Sequence, residues 1–165
     1  MARIAMKEVR VMIWHAYRSD NAEEQLNELL THPRGEVRRV AIGSIMDLKE
    51  LHDTAPLLET LKDRARRVRE AALVACAKYD IDEAFEFVLA ELKEPSGMFF
   101  VVRIIEALGI FGREEAFEPI IECSLSRRKD DGGLYLAFAN QVAEALGYIA
   151  LGREGIKRET WTYIF

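Results

Sequence analysis

Two families of similar segments alternate along this chain at one spacing, and no other feature restricts the fold as much. The first family is EVRRVAIGSIMDL (36–48), RVREAALVACAKY (67–79), FVVRIIEALGIFG (100–112) and FANQVAEALGYIA (138–150). Aligned on Ser44, Ala75, Ala107 and Ala145, its members step by 31, 32 and 38 residues. The second family is NAEEQLNELL (21–30), TAPLLETLKD (54–63), DEAFEFVLAEL (82–92) and EEAFEPIIECSL (115–125). Its members align at Ala22, Ala55, Ala84 and Ala116, with steps of 33, 29 and 32. Two interleaved ladders of one period point to a repeated two-part unit. Such a unit cannot bury its apolar face alone, so neighbours must stack.

Each part reads as a helix. Val68, Ala71, Ala72, Ala75, Cys76 and Tyr79 recur at the spacing of one helical face. Arg66 is placed to pair with Glu70 one turn on. No β-type alternation persists, so the chain is predicted to be all-α. It is expected to form a single domain over 1–165, with five hairpins at about 2–31, 33–63, 64–93, 96–128 and 134–165. The polar insertion SRRKDDGG (126–133) accounts for the long 38-residue step. Asp20 and Asp53 read as helix N-caps, with Glu23 at the third position after Asp20. Pro33 and Pro95 mark turns. Gly109, Gly112, Gly147 and Gly152 are placed where first helices end.

HPRGEVRRVAIGSI (32–45), VREAALVACA (68–77) and RIIEALGIFGREEAFEPII (103–121) resemble the HEAT-like repeat of the phycobilisome-lyase type, with its VRxxAAxALGxxGxxEAxPxL pattern. The third full unit carries the match through Ala107, Leu108, Gly109, Gly112, Glu115, Ala116, Pro119 and Ile120. The resemblance spans about residues 20–150 and speaks to fold more than to activity. It implies a right-handed α-α superhelix, a HEAT-like solenoid whose second helices line the concave, partner-binding side. It also implies that Arg38 and Arg69 form a structural ladder with turn acids of adjacent repeats. Val101 and Ala139 replace that arginine later in the chain, so the ladder is expected in the second and third units only.

Charge divides between the two helix rows. The first helices sum to +7 and the second helices to −10, within a chain of net charge −5. The concave face is therefore predicted to be acidic, through Glu24, Glu28, Glu59, Glu86, Glu118 and Glu122. Complementary charge would steer a basic protein partner onto it, giving a non-catalytic protein–protein interaction module or scaffold. Two other classes stay open. The resemblance implies an accessory lyase or chaperone-like factor for chromophore or tetrapyrrole proteins. The Arg64–Arg69 edge, with four arginines in six residues, would suit nucleic acid. Against it, the net charge is negative and no aromatic stacking group accompanies the run.

No residue signals catalysis, a cofactor or a metal. His15, His32 and His52 are dispersed, and none stands in a His-Glu doublet. Cys76 and Cys123 lie on apolar stripes and read as buried free thiols of a reducing, cytoplasmic setting. The N-terminal stretch lacks the apolar core of a signal peptide, and no apolar run approaches membrane-spanning length. At the far end, Trp161, Tyr163 and Phe165 either close the last hairpin or form an interface, with a partner or with a second copy in a homo-oligomer.

Overall fold

Helices are the only regular elements among the residues described by the computed structural model, which are 6–93, 98–126 and 132–156. In chain order they are α1 (Met6–Tyr17), α2 (Ala22–Leu29), α3 (Gly35–Met46), α4 (Ala55–Glu59, continued by a 3-10 turn at Thr60–Lys62) and α5 (Arg66–Lys78). Then come α6 (Asp82–Glu91), α7 (Met98–Phe111), a 3-10 turn at Glu114–Ala116, α8 (Phe117–Ser126) and α9 (Gly132–Ile156). Gly152 interrupts α9 with a non-helical backbone, φ 67 and ψ 165. None of the described helices is long and apolar enough to cross a membrane.

The chain divides into two compact units, Met1–Tyr79 and Asp80–Phe165. In the first, α1, α3 and α5 pack in a row, α2 lies against α1 and α3, and α4 with its 3-10 turn lies against α5. In the second, α7 pairs closely with α9, α6 packs on α7, and α8 packs on α9. The apolar spacing dictates these faces. In α3, Val37, Ala41, Ile42, Ile45 and Met46 are buried. Burying each of the larger ones contributes about 1.5–3 kcal/mol before chain entropy is counted. In α5 the expected single stripe widens: Leu73, Val74 and Ala77 are buried beside Ala72, Ala75 and Cys76, so its last turns have no solvent-facing side. The second unit centres on Phe85 and Phe111, whose rings meet edge to face at 5.3 Å, an arrangement worth about 0.5–1.5 kcal/mol beyond burial.

Arginines stitch the turns. Arg38 is 6 % exposed and grips Asp63, which is 9 % exposed, at 2.6 and 2.7 Å. Its Nη1 donates to the His32 carbonyl at 2.6 Å. Arg69 makes the corresponding bond at the start of α5, donating to the Asp63 carbonyl at 2.7 Å. Asp63 also accepts the Ala65 amide at 2.7 Å as α5 begins. The bond from Arg38 holds the Asp63 carboxyl below its ordinary range, against the opposing effect of burial. A further link lies in the second unit. Arg113 donates to Asp80 at 2.7 Å and Asp82 at 2.5 Å, with its guanidinium over the Phe85 and Phe111 rings. Asp80 stands in the left-handed region, φ 54, after α5.

The punctuation differs from expectation in two respects. Asp20 is not the cap of α2: Asn21 holds that position without a side-chain cap bond and instead bonds Glu24 and Gln25. Asp53 lies one residue before the α4 cap, Thr54, and accepts the Ala55 amide at 3.2 Å. Among the glycines, Gly112 (φ 62) and Gly152 (φ 67) adopt the left-handed backbone expected where helices stop. Gly109 and Gly147 lie inside α7 and α9. Gly109 is there for contact, since a Cβ on it would stand 2.7 Å from the Ala145 Cα.

Candidate partner-binding groove

The groove begins with the amphipathic pattern of α2. Leu26 and Leu30 turn inward and are buried, while Glu24 and Glu28, four apart, share the exposed face. Opposite them runs the segment from His52 to Pro56. Between the two lies an open groove of about 720 Å³, lined by Asp20, Glu23, Glu24, Glu28 and Asp53, with Asn27, Thr31 and His52. A smaller groove of about 480 Å³ flanks the other side of α2, against Met12, His15 and Ala16, and shares Glu24 and Glu28.

Glu23 fixes the two walls together. Its Oε1 accepts the His52 amide at 2.8 Å and the Asp53 amide at 2.6 Å, and its Oε2 meets His52 Nδ1 at 2.9 Å. Burial would raise its pKa. The bonds from the Asp53 amide, the imidazole and the His52 amide outweigh that and hold it below its ordinary value. The same bond, with the charge of Glu23, pushes the His52 imidazole up. Glu23 is thus committed internally, which leaves Glu24 and Glu28 as the outward charges of α2. Asn27 lies deeper. It is 9 % exposed, its Nδ2 donates to the Asp53 carbonyl at 3.4 Å, and its Oδ1 has no hydrogen-bond partner.

The expected partner-binding residues are distributed unevenly. Glu24 and Glu28 come together in the groove. Glu59 is exposed on α4 but does not line it, and Glu86 on α6 with Glu118 and Glu122 on α8 are exposed in the second unit. Trp161, Tyr163 and Phe165 lie outside the described residues. Sequence reasoning missed Glu23, His52, Asp53 and Asn27 as parts of one feature. Their only sequence signal is that the second helix of one hairpin must face the start of the next.

The basic run is largely occupied within the chain. Arg64 donates to the Pro33 carbonyl at 2.7 Å, Arg66 pairs with Glu70 at 2.7 Å across one helical turn, and Arg69 donates to the Asp63 carbonyl. Cys76 and Cys123 are free and buried, and burial pushes the Cys76 thiol up to about 12. No group of three or more His, Cys, Asp or Glu side chains among the described residues is placed to hold a metal ion. No protein-family model matches the chain, and no curated protein sequence matches it.

Proposed function

We propose that this chain is a HEAT-like helical-repeat module, an α-α superhelix without catalytic function, that binds a basic protein partner through the acidic faces of its second helices. The observation that carries the reading is the groove beside α2, where Glu24 and Glu28 stand exposed beside Asp20 and Asp53 while Glu23 braces the wall. Pre-placed carboxylates in a braced groove attract cationic groups and repel acidic ones. The shared bond of Arg38 and Arg69, each to a carbonyl six residues upstream, supports the repeat reading. Buried, unpaired thiols at Cys76 and Cys123 suit a reducing cytoplasm.

The test is capture from native extract by three baits: the wild type, Glu24→Lys with Glu28→Lys, and Glu86→Lys with Glu118→Lys and Glu122→Lys. Basic proteins held by the wild type and released by either reversal are the expected result. Equal recovery on all three baits would remove the acidic faces as the binding surface.

A further inference from the structure

We infer that the outer face of α1 is a docking surface for α8 of a second copy of this chain. The inference rests on the reading of the second helices as acidic docking faces, and it names one cationic surface that the last of them takes. Five large apolar side chains stand exposed among the described residues: Val11, Trp14, Tyr17, Leu125 and Leu151. Three of these fall on two helix faces of opposite charge. Val9, Ile13 and Ala16 turn one side of α1 inward, so Lys7, Val11, Trp14 and Arg18, at i, i+4, i+7 and i+11, share the exposed side. Val11 is 49 % exposed and Trp14 is 53 % exposed. Exposed Arg10 borders them, while Glu8, the one acid of α1, lies to the side. The indole is held in place. The Arg18 guanidinium lies over it at 5.0 Å, and the His15 ring meets it edge to face at 5.0 Å. Tryptophan and arginine are the side chains that most often anchor interfaces, and a ring already fixed loses less freedom on docking.

The matching face is on α8. Ile120 and Cys123 form its buried side, and Glu118, Glu122 and Leu125 are exposed at i, i+4 and i+7. Leu125 is 61 % exposed, and Glu114 and Glu115 extend the acidic end through the preceding turn. Lys7, Val11 and Trp14 have the same spacing with the opposite charge. Laid side by side, the two faces set apolar side chains against each other and Lys7, Arg10 and Arg18 against acids. Opposed charge steers that encounter and disfavours α1 on α1 or α8 on α8, where like charges would meet. One helix pair is small for an interface, so the expected Kd is on the order of 100 μM. Each copy offers one face of each kind, so the contact is heterologous and assembly does not have to stop at two.

The experiment is sedimentation equilibrium of the full chain from about 10 μM to about 0.5 mM, a range that brackets the expected affinity. One variant alters the α1 face, Arg10→Gln with Trp14→Ala. The other alters the α8 face, Glu118→Gln and Glu122→Gln with Leu125→Ala. All five positions are exposed on helices, and neutral replacements give the two altered faces no charge for one another. The wild type is expected to gain average mass as concentration rises. Each variant alone is expected to associate at least about tenfold more weakly and stay near the mass of one chain. Their equimolar mixture is expected to form a species of two chains and no larger one, because it retains a single intact pairing of α1 with α8. Should the Trp14 variant lose its helical signal, Lys7→Gln with Arg10→Gln takes its place. A wild type that keeps the mass of one chain throughout overturns the inference, as does a mixture that does not pair. Association lost in the α1 variant and kept in the α8 variant also overturns it, and identifies a contact of α1 with α1. The three-bait capture reads the proposed function separately: basic proteins released there by the acidic reversals would leave that function standing when this inference fails.

Discussion

Gly109 and Gly147 occupy the same place in two identical Glu-Ala-Leu-Gly segments, yet their surroundings demand opposite responses to a methyl group. A Cβ on Gly109 would lie 2.7 Å from the Ala145 Cα and 2.9 Å from its Cβ, whereas one on Gly147 would meet nothing within 4 Å. Overpacking against backbone costs about 1–3 kcal/mol, more than the roughly 1 kcal/mol of helix propensity that alanine brings. Gly109→Ala should therefore lower the melting temperature, by up to about 2 kcal/mol in stability. Gly147→Ala should raise it, by about 0.5–1 kcal/mol. Shifts of the same sign in thermal unfolding would refute this account of the α7–α9 contact. The repeat alignment identifies equivalent positions, but which glycine faces a neighbour depends on the helix packed across it, which no single segment encodes. The Arg38–Asp63 pair is a second residue-scale case. Both side chains are nearly inaccessible, so Asp63→Asn leaves a buried guanidinium short of its counter-charge and should cost about 3–5 kcal/mol. Arg38→Met with Asp63→Asn should recover part of that loss in denaturant melts. A double variant no better than Asp63→Asn would contradict the buried-charge explanation.

At the scale of elements, helix existence follows directly from apolar spacing, whereas helix ends depend on partners far along the chain. The C-terminal carbonyls of α3 are capped from two flanking helices. Tyr17 at the end of α1 donates to the Asp47 carbonyl at 3.5 Å. From the end of α5, Lys78 reaches the Met46 carbonyl, and Tyr79 meets those of Ile45 and Leu48. Tyr79 fits the apolar stripe in sequence, and nothing local reveals that its hydroxyl caps another helix; its burial pushes the phenol up to about 12. Asp20 and Asp53 each stand one residue before the cap of the helix that follows. Glu23, read from sequence as a local capping partner, spends its carboxylate on the His52 and Asp53 amides instead. That clamp gives the α2–α4 connection a defined pH window. Glu23 has a folded pKa below its ordinary value of 4.5, so its contribution is present above about 4.5 and fades as pH falls through the lowered value. His52 has a folded pKa above 6.5, so its contribution is complete below 6.5 and is lost as pH rises through the raised value. Its other ring nitrogen lies 3.8 Å from Glu50, which acts in the same direction. The clamp is strongest between those limits. In an NMR titration His52 should show a midpoint above 6.5 that falls in Glu23→Gln, and a midpoint unmoved by that change would rule out the clamp as its cause.

For the whole molecule, charge segregation is the property most fully legible in sequence, because it needs only the two helix rows and a count. Its use is less legible, since only the fold shows that Glu23 is consumed internally while Glu24 and Glu28 remain exposed on a groove. The same arrangement carries a cost that can be measured. Glu24 and Glu28 stand four apart on one helical face, a spacing at which like charges repel by about 0.2–0.5 kcal/mol, and Asp20 and Asp53 line the same groove. The chain as a whole carries net charge −5, so self-repulsion adds to the local effect. Raising ionic strength from about 0.01 M to about 0.15 M shortens the screening length from about 30 Å to about 8 Å. It should therefore raise the melting temperature rather than lower it. Glu28→Gln should raise it further at low salt, by a few tenths of a kcal/mol, and should reduce the salt response, because a charge being screened is gone. Glu24 is the poorer choice for this test, since its carboxylate accepts from Asn21 at 3.1 Å and stands in the first turn of α2, where a negative charge is stabilising. Removing Glu28 also removes a charge offered to a basic partner, so stability and binding should move in opposite directions. A Glu28→Gln variant that is less stable than the wild type at low salt would mean that Glu28 belongs to the framework of the fold rather than to a surface kept charged for a partner.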